Sequence, residues 1–318
     1  MDHSSSTGFL LSQRIGVIGA GTIGASWAAY FLAQGHDVAA TDPSPQGEAF
    51  ARRFIANAWP TLEKLGLVVQ GASADRFTFH KDAAAAAAGA DFIQESGPER
   101  EDLKIKLFNV IDGAAPPETV IASSSSGLLI SRVTVECKHP ERCVIGHPFN
   151  PPHLIPLVEV VGGTKTSRAA IDKAMAFYRA VGKHPILIKK EVKGHVANRL
   201  QAALWREVVH LVAEGVVSVA DADAAVAYGP GLRWALMGPS LTFHLAGGEG
   251  GMKHFLDHLG PAMQGWMDDL GSPRLNSPDL QQAIIEGVAD EAGSRTIGDL
   301  QKWRDRKLID ILKVSGSP

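Results

Sequence analysis

Four residues that together could take a proton from an alcohol stand at separated points of the chain: Ser126, His147, Glu159 and Asn198. An imidazole titrates near neutrality and can accept a hydroxyl proton, and a carboxylate can hold the ring and stabilise the cation that forms. His147 lies in the run Gly146-His147-Pro148-Phe149-Asn150-Pro151. Glu159 follows twelve residues later in Leu157-Val158-Glu159-Val160-Val161, where it can return on an adjacent strand. Ser126 closes a run of four serines, and Asn198 lies in Gly194-His195-Val196-Ala197-Asn198-Arg199; either side chain could hydrogen-bond the reacting oxygen. Singly, a His before Pro is more often structural and a strand Glu more often solvated. Their joint occurrence with a cofactor fingerprint is what points to catalysis.

That fingerprint is Gly19-Ala20-Gly21-Thr22-Ile23-Gly24. It follows a β-branched run, Arg14 to Ile18, and opens a segment with Trp27, Tyr30, Phe31 and Leu32 at helical spacing that stops at Gly35. In this strand-turn-helix setting the first glycine makes the tight turn, the second lets the backbone approach a pyrophosphate, and the third lets helix and strand pack closely. Helix N-terminal amides near Thr22 and Ile23 would face the phosphates. The next strand-like run ends at Asp42, eighteen residues past Gly24, where a carboxylate accepts ribose hydroxyls and repels a 2′-phosphate. NAD is therefore expected over NADP.

The elements that must position these groups read as an α/β fold. Strand-like and helical segments alternate as far as about Lys190: helices at Gln46 to Leu67, Glu101 to Ile111 and Ser167 to Val181, with strands at Phe77 to Phe79, Ala90 to Glu95, Thr119 to Ser123, Cys143 to Gly146, Leu157 to Val161 and Pro185 to Ile188. This predicts a Rossmann-type, doubly wound parallel sheet. Helical spacing alone follows, over Asn198 to Glu214, Ser218 to Ala227, Gly251 to His258, Pro278 to Ala292 and Thr296 to Lys313, which predicts an all-α C-terminal domain. The expected division is 1–190 for NAD binding, with 1–12 flexible, and 191–318 for substrate and dimerisation. Gly265 to Ser277 reads as a loop.

Composition excludes several classes. The 318 residues are 45% hydrophobic and 20% charged, as in globular proteins. The net charge is -3, with no long block of one sign, so nucleic acid is not an expected partner. Two cysteines, Cys137 and Cys143, are too few for a thiolate zinc site or a disulfide framework and read as plain thiols of a reducing compartment. No metal is expected. No apolar run reaches the roughly 18 residues of a membrane span, and no secretory leader is evident, so the expected address is cytoplasmic and no membrane partner is expected.

The runs HPFNP and LVEVV, the serine run and the late Asn-Arg resemble the L-3-hydroxyacyl-CoA dehydrogenase superfamily over almost the whole chain. The resemblance implies that His147 is the acid/base, Glu159 its partner, and Ser126 and Asn198 the contacts to the substrate oxygen. It also implies that Glu95, Ser96, Glu99, Lys104, Ser124 and Asn150 neighbour the cofactor, and that the helical domain makes a homodimer. Members acting on CoA esters resemble a pattern in which a Gly-aromatic pair runs directly into Met-Gly-Pro. Here Arg233-Trp234 intervenes before Met237-Gly238-Pro239, as in branches whose substrates are free carboxylates. Arg233 would anchor the carboxylate through its planar fork. Carnitine is the implied substrate, with gulonate or a hydroxyacyl-CoA as alternatives, and its trimethylammonium group could rest on Trp205, Trp234, Phe149, Phe243 or Trp266. The chain departs from the carnitine-oxidising pattern at Pro152-His153, where a Val-Tyr pair is usual. His195, His254 and His258 fall outside the implied catalytic set. From a different class, the alternative is a redox-inactive, crystallin-like nucleotide-binding protein.

Overall fold

The computed structural model describes residues 13–315; the segment expected to be flexible, 1–12, lies outside them. The chain passes through Arg14–Ile18 (β1), Thr22–Ala33 (α1), Asp37–Thr41 (β2), Gly47–Lys64 (α2), Phe77–Phe79 (β3), Ala83–Ala87 (α3), Phe92–Glu95 (β4), Glu101–Ala114 (α4) and Val120–Ser123 (β5). It continues through Ile130–Val133 (α5), Cys143–Pro148 (β6), Leu157–Gly162 (β7), Arg168–Ala180 (α6) and His184–Ile188 (β8). The rest is helical: Ala197–Ala213 (α7), Val219–Tyr228 (α8), Pro230–Trp234 (α9), Pro239–Ala246 (α10), Gly251–Asp269 (α11), Pro278–Ala292 (α12) and Ile297–Ser315 (α13). One compact unit ends at Asn198 and a second begins at Arg199. Among the described residues no helix is long and apolar enough to cross a membrane.

The eight strands form one sheet in the order β3-β2-β1-β4-β5-β6-β7-β8. Its first six strands carry the order 3-2-1-4-5-6, with the reversal of winding between β1 and β4, where such sheets open a ligand crevice at their carboxyl ends. The expected all-parallel sheet fails at one place: β7 runs antiparallel to β6, and β8 then pairs parallel to β7. The connection from Phe149 to Pro156 is too short for the helix that a parallel crossover needs, so the chain must double back.

Alternating strand residues feed two cores, one on each sheet face. Ile15, Val17, Val38, Val144 and Val160 pack with α1, α2 and α6, while Ile18, Ile93, Ile121 and Ile145 pack with α3, α4 and α5. In the helical unit, α11 extends to Asp269, so the loop expected from Gly265 starts only at Leu270. Gly260-Pro261 reads as a stop, but Leu259, Met263 and Met267 keep helical spacing across it, and the helix contains the proline. The short helices α5, α9 and α10 have too few turns to show a period in the sequence.

The strand that carries His147 is fastened at its start by a buried ion pair. Arg142, 6% exposed, reaches Asp112 of α4 at 2.8 Å, and the same carboxylate accepts the amides of Lys138 and His139. Burial pushes the Asp112 carboxyl up, but the Arg142 hydrogen bond, those two amides and the guanidinium charge outweigh it and hold the group below the ordinary aspartate range. A native pKa lower than the unfolded one adds stability that is fully present above about pH 4 and is lost as pH falls through the lower native value. Urea unfolding along a pH series should show this loss at the acid end. Asp112→Asn should remove that part of the slope; an unchanged acid slope would contradict it.

Candidate active site

Three glycines shape the turn after β1. Gly19 has φ 95°, and a Cβ there would lie 2.7 Å from the Ser96 carbonyl group; a Cβ on Gly24 would run into the Gly19 oxygen. At Gly21 a Cβ would meet nothing within 4 Å, because that backbone faces open space at the start of α1. Gly21 caps α1 without a side-chain hydrogen bond, so the first amides of this 12-residue helix are left to an external acceptor. Beside this turn is a cavity of about 610 Å³ lined by Gly19, Gly21, Asp42, Ser96, Gly97 and Leu103 among others. A helix N-terminus, glycine backbone and a carboxylate past β2 fit a dinucleotide's pyrophosphate and ribose. Asp42 meanwhile accepts the amides of Ala20 and Ser44, both at 2.9 Å, which sets its carboxylate against the glycine turn. Thr22 is exposed and Ile23 half-buried at the head of α1.

Ser96 and Gly97 of this cavity directly follow β4. Glu95 and Lys104, expected beside the cofactor, are buried beneath the cavity at 0% and 1% exposure. Lys104 Nζ donates to Glu95 Oε1 at 2.7 Å and Oε2 at 2.9 Å, and the carboxylate also accepts the Ser123 hydroxyl and the Gly97 amide. The pair thus holds the Ser96-Gly97 loop from below rather than lining the cavity. Lys104→Met would strand the Glu95 charge, at about 3–5 kcal/mol. Urea unfolding should show that loss and fluorescence titration a weaker NADH Kd; unchanged stability would contradict the supporting role.

Ser124 joins the hydroxyl of Ser96 at 2.9 Å and Gln94 Nε2 at 2.7 Å, and Gln94 in turn accepts the Tyr178 hydroxyl at 2.6 Å. Glu99 Oε1 accepts the Ser125 hydroxyl at 2.7 Å, the Ser126 hydroxyl at 3.3 Å and the Gly127 amide at 2.8 Å. Ser126 is exposed, and its carbonyl accepts Asn198 Nδ2 at 3.1 Å, so these two candidates do meet. Asn150 is exposed in the turn after β6. His153 is buried, hydrogen-bonded to Ser26 and edge-on to Phe54, a packing position.

His147 and Glu159 are directly opposite one another in the antiparallel β6–β7 ladder, so their side chains share a face. His147 Nδ1 lies 2.8 Å from Glu159 Oε2, at 5% and 0% exposure. The remaining carboxylate oxygen, Oε1, accepts the amides of Val196 and Ala197, both at 2.9 Å. Burial pushes the Glu159 carboxyl up, yet the His147 hydrogen bond, the two amides and the imidazole charge prevail and lower its pKa. Glu159 is therefore ionised at neutral pH, His147 Nδ1 donates to it, and Nε2 is left to exchange a proton. The Phe149 ring stands edge-on to the imidazole at 5.3 Å.

A 3-hydroxyacyl-CoA dehydrogenase NAD-binding domain model matches residues 14–192, and the corresponding C-terminal domain model matches 194–291. The chain belongs to the 3-hydroxyacyl-CoA dehydrogenase family. L-carnitine dehydrogenase of Streptomyces griseus is 52% identical over 96% of this chain and 90% of its own, and that of Pseudomonas putida 47% identical over 95% and 94%. Among solved structures, an NAD+-dependent 5-dehydrogenase of 5-formyl-3-hydroxy-2-methylpyridine 4-carboxylic acid superposes with a TM-score of 0.83 at 30% identity, over 96% of this chain and 99% of that one. FadB2 of M. tuberculosis gives 0.66 at 27%, over 87% and 95%. As a member of the 3-hydroxyacyl-CoA dehydrogenase family, the chain is an NAD-dependent oxidoreductase.

Sequence reasoning anticipated His147 and Glu159 as partners. It missed the Glu159 cradle from Val196 and Ala197, and the roles of Ser123, Ser125 and Gln94 as connectors. Backbone amides leave no residue-type signal, and only the length of the serine run hinted at the connectors.

Proposed function

We propose that this chain oxidises the 3-hydroxyl of a small hydroxy carboxylic acid, with L-carnitine converted to 3-dehydrocarnitine. The His147–Glu159 pair carries the reading: a buried carboxylate fixes one imidazole tautomer and leaves Nε2 to take the hydroxyl proton. NAD, when bound, accepts the hydride that leaves C3. Gly19, Gly21 and Gly24 with Asp42, Ser96 and the first turn of α1 would hold it, above the Glu95–Lys104 pair. Glu159 stabilises the imidazolium that proton transfer creates, and Ser126 with Asn198 orients the reacting oxygen.

Arg233, exposed at the end of α9, is our candidate anchor for the substrate carboxylate, with Trp234 beside it in sequence for the apolar part. Identity of about 50% to several L-carnitine dehydrogenases supports carnitine over gulonate or a CoA ester. A cytoplasmic homodimer completes the reading. Large apolar side chains left exposed on the helical unit support association of two copies: Leu200, Trp205, Leu236, Leu241, Leu245 and Trp266. Steady-state NADH formation with L-carnitine, L-gulonate and 3-hydroxybutyryl-CoA tests the substrate. L-carnitine should have the highest kcat/KM; a higher value for either other compound would overturn the choice.

A further inference from the structure

Nothing in its sequence spacing marks His195 for the site, yet its backbone and its burial set it apart. Among the described residues it is the one non-glycine position with positive φ, at 50°. Its side chain is 1% exposed, and its ring lies 5.2 Å from that of His147. Nε2 donates to the Ser125 carbonyl at 2.9 Å, which leaves Nδ1 an unprotonated acceptor, buried and without a hydrogen-bond partner. A ring that served only as filler would gain nothing from the buried acceptor it strands. The two amides that follow His195 are the pair that converges on Glu159 Oε1. Successive amides converging on an anion next to a left-handed residue form a backbone nest.

We propose that His195 is the positioning residue of the proton-transferring pair. Its left-handed backbone aims the Val196 and Ala197 amides at Glu159, and its ring fastens that turn to Ser125, one residue before Ser126. With Oε1 occupied by the nest, only Oε2 is left for His147, so the imidazole has one orientation. Without the nest, the carboxylate can rotate and present either oxygen. This inference rests on the reading of His147 and Glu159 given above.

Three substitutions separate positioning from packing. Asparagine tolerates positive φ and keeps a donor; glycine keeps the backbone but loses the ring; phenylalanine fills the volume but is strained at this φ and donates nothing. His195→Asn should retain kcat within about threefold, His195→Gly should lose about 10-fold and His195→Phe about 100-fold, with KM and the NADH Kd little changed. A packing role predicts instead that glycine, which empties the most volume, is the worst of the three, with the NADH Kd weakening alongside kcat, and that outcome would overturn the proposal. A second readout needs no turnover: the downfield imidazole N–H proton resonance of the His147–Glu159 bond, assigned by its disappearance in His147→Ala. It should persist in His195→Asn and broaden or shift in His195→Gly. If phenylalanine prevents folding, an unmoved resonance and wild-type kcat in His195→Gly still refute the idea. His147→Ala in the same series distinguishes the failures: if it turns over normally, the base is misassigned, whereas if it is inactive while the His195 variants match wild type, only this inference falls.

Discussion

His147→Ala is expected to lower kcat for alcohol oxidation by about 10³-fold, with the NADH Kd unchanged within about twofold. The separation follows from the fold. The imidazole stands at the end of β6, paired across the antiparallel ladder with Glu159. The glycine turn, Asp42 and the Ser96-Gly97 loop that would hold the dinucleotide belong to the carboxyl ends of β1, β2 and β4. Removing the ring takes away the proton acceptor and leaves those elements intact. Stopped-flow measurement of NADH formation beside a fluorescence titration with NADH checks both halves. Substantial turnover would remove His147 from the mechanism, and lost NADH affinity would show that the ring supports the fold rather than the chemistry.

Arg233→Met should raise KM for a carboxylate substrate by about 10- to 150-fold at nearly constant kcat, the kinetic equivalent of a charge-assisted hydrogen bond of about 1.5–3 kcal/mol. A guanidinium that binds the carboxylate in ground and transition states alike lowers KM without accelerating the chemical step. Arg233→Lys keeps the charge but not the planar fork and should recover only part of the loss. Initial-rate kinetics over a wide substrate range separate KM from kcat. An unchanged KM would return Arg233 to the surface of α9.

The features legible in the sequence are those that local sterics or a short register imposes. Gly19 and Gly24 are confined by contacts to the Ser96 carbonyl and the Gly19 oxygen, so no other residue type fits the turn, and the motif announces itself. His147 and Glu159 are twelve residues apart because a short reversal brings β7 back beside β6, and that distance was readable even though the antiparallel direction was not. Glu95 and Lys104 entered only through the resemblance, as neighbours of the cofactor; that they form a buried ion pair with each other was not legible, because the contact joins the end of β4 to the first turn of α4. Pro261 concealed the second half of α11 because a proline is a strong local stop signal that tertiary packing can override. The nest around Glu159 was invisible for a different reason. It is made of backbone, and its one marker is a histidine in a conformation that sequence does not record.

The central claim is that hydride leaves C3 of the hydroxy acid while His147 takes the hydroxyl proton. L-carnitine deuterated at C3, incubated with the protein and NAD, tests it most directly by NMR of the recovered NADH. The account predicts deuterium on the nicotinamide ring of wild-type product, and labelled NADH formed about 10³-fold more slowly with His147→Ala. NADH formed without the label, or labelled NADH formed as fast by the alanine variant, would contradict it.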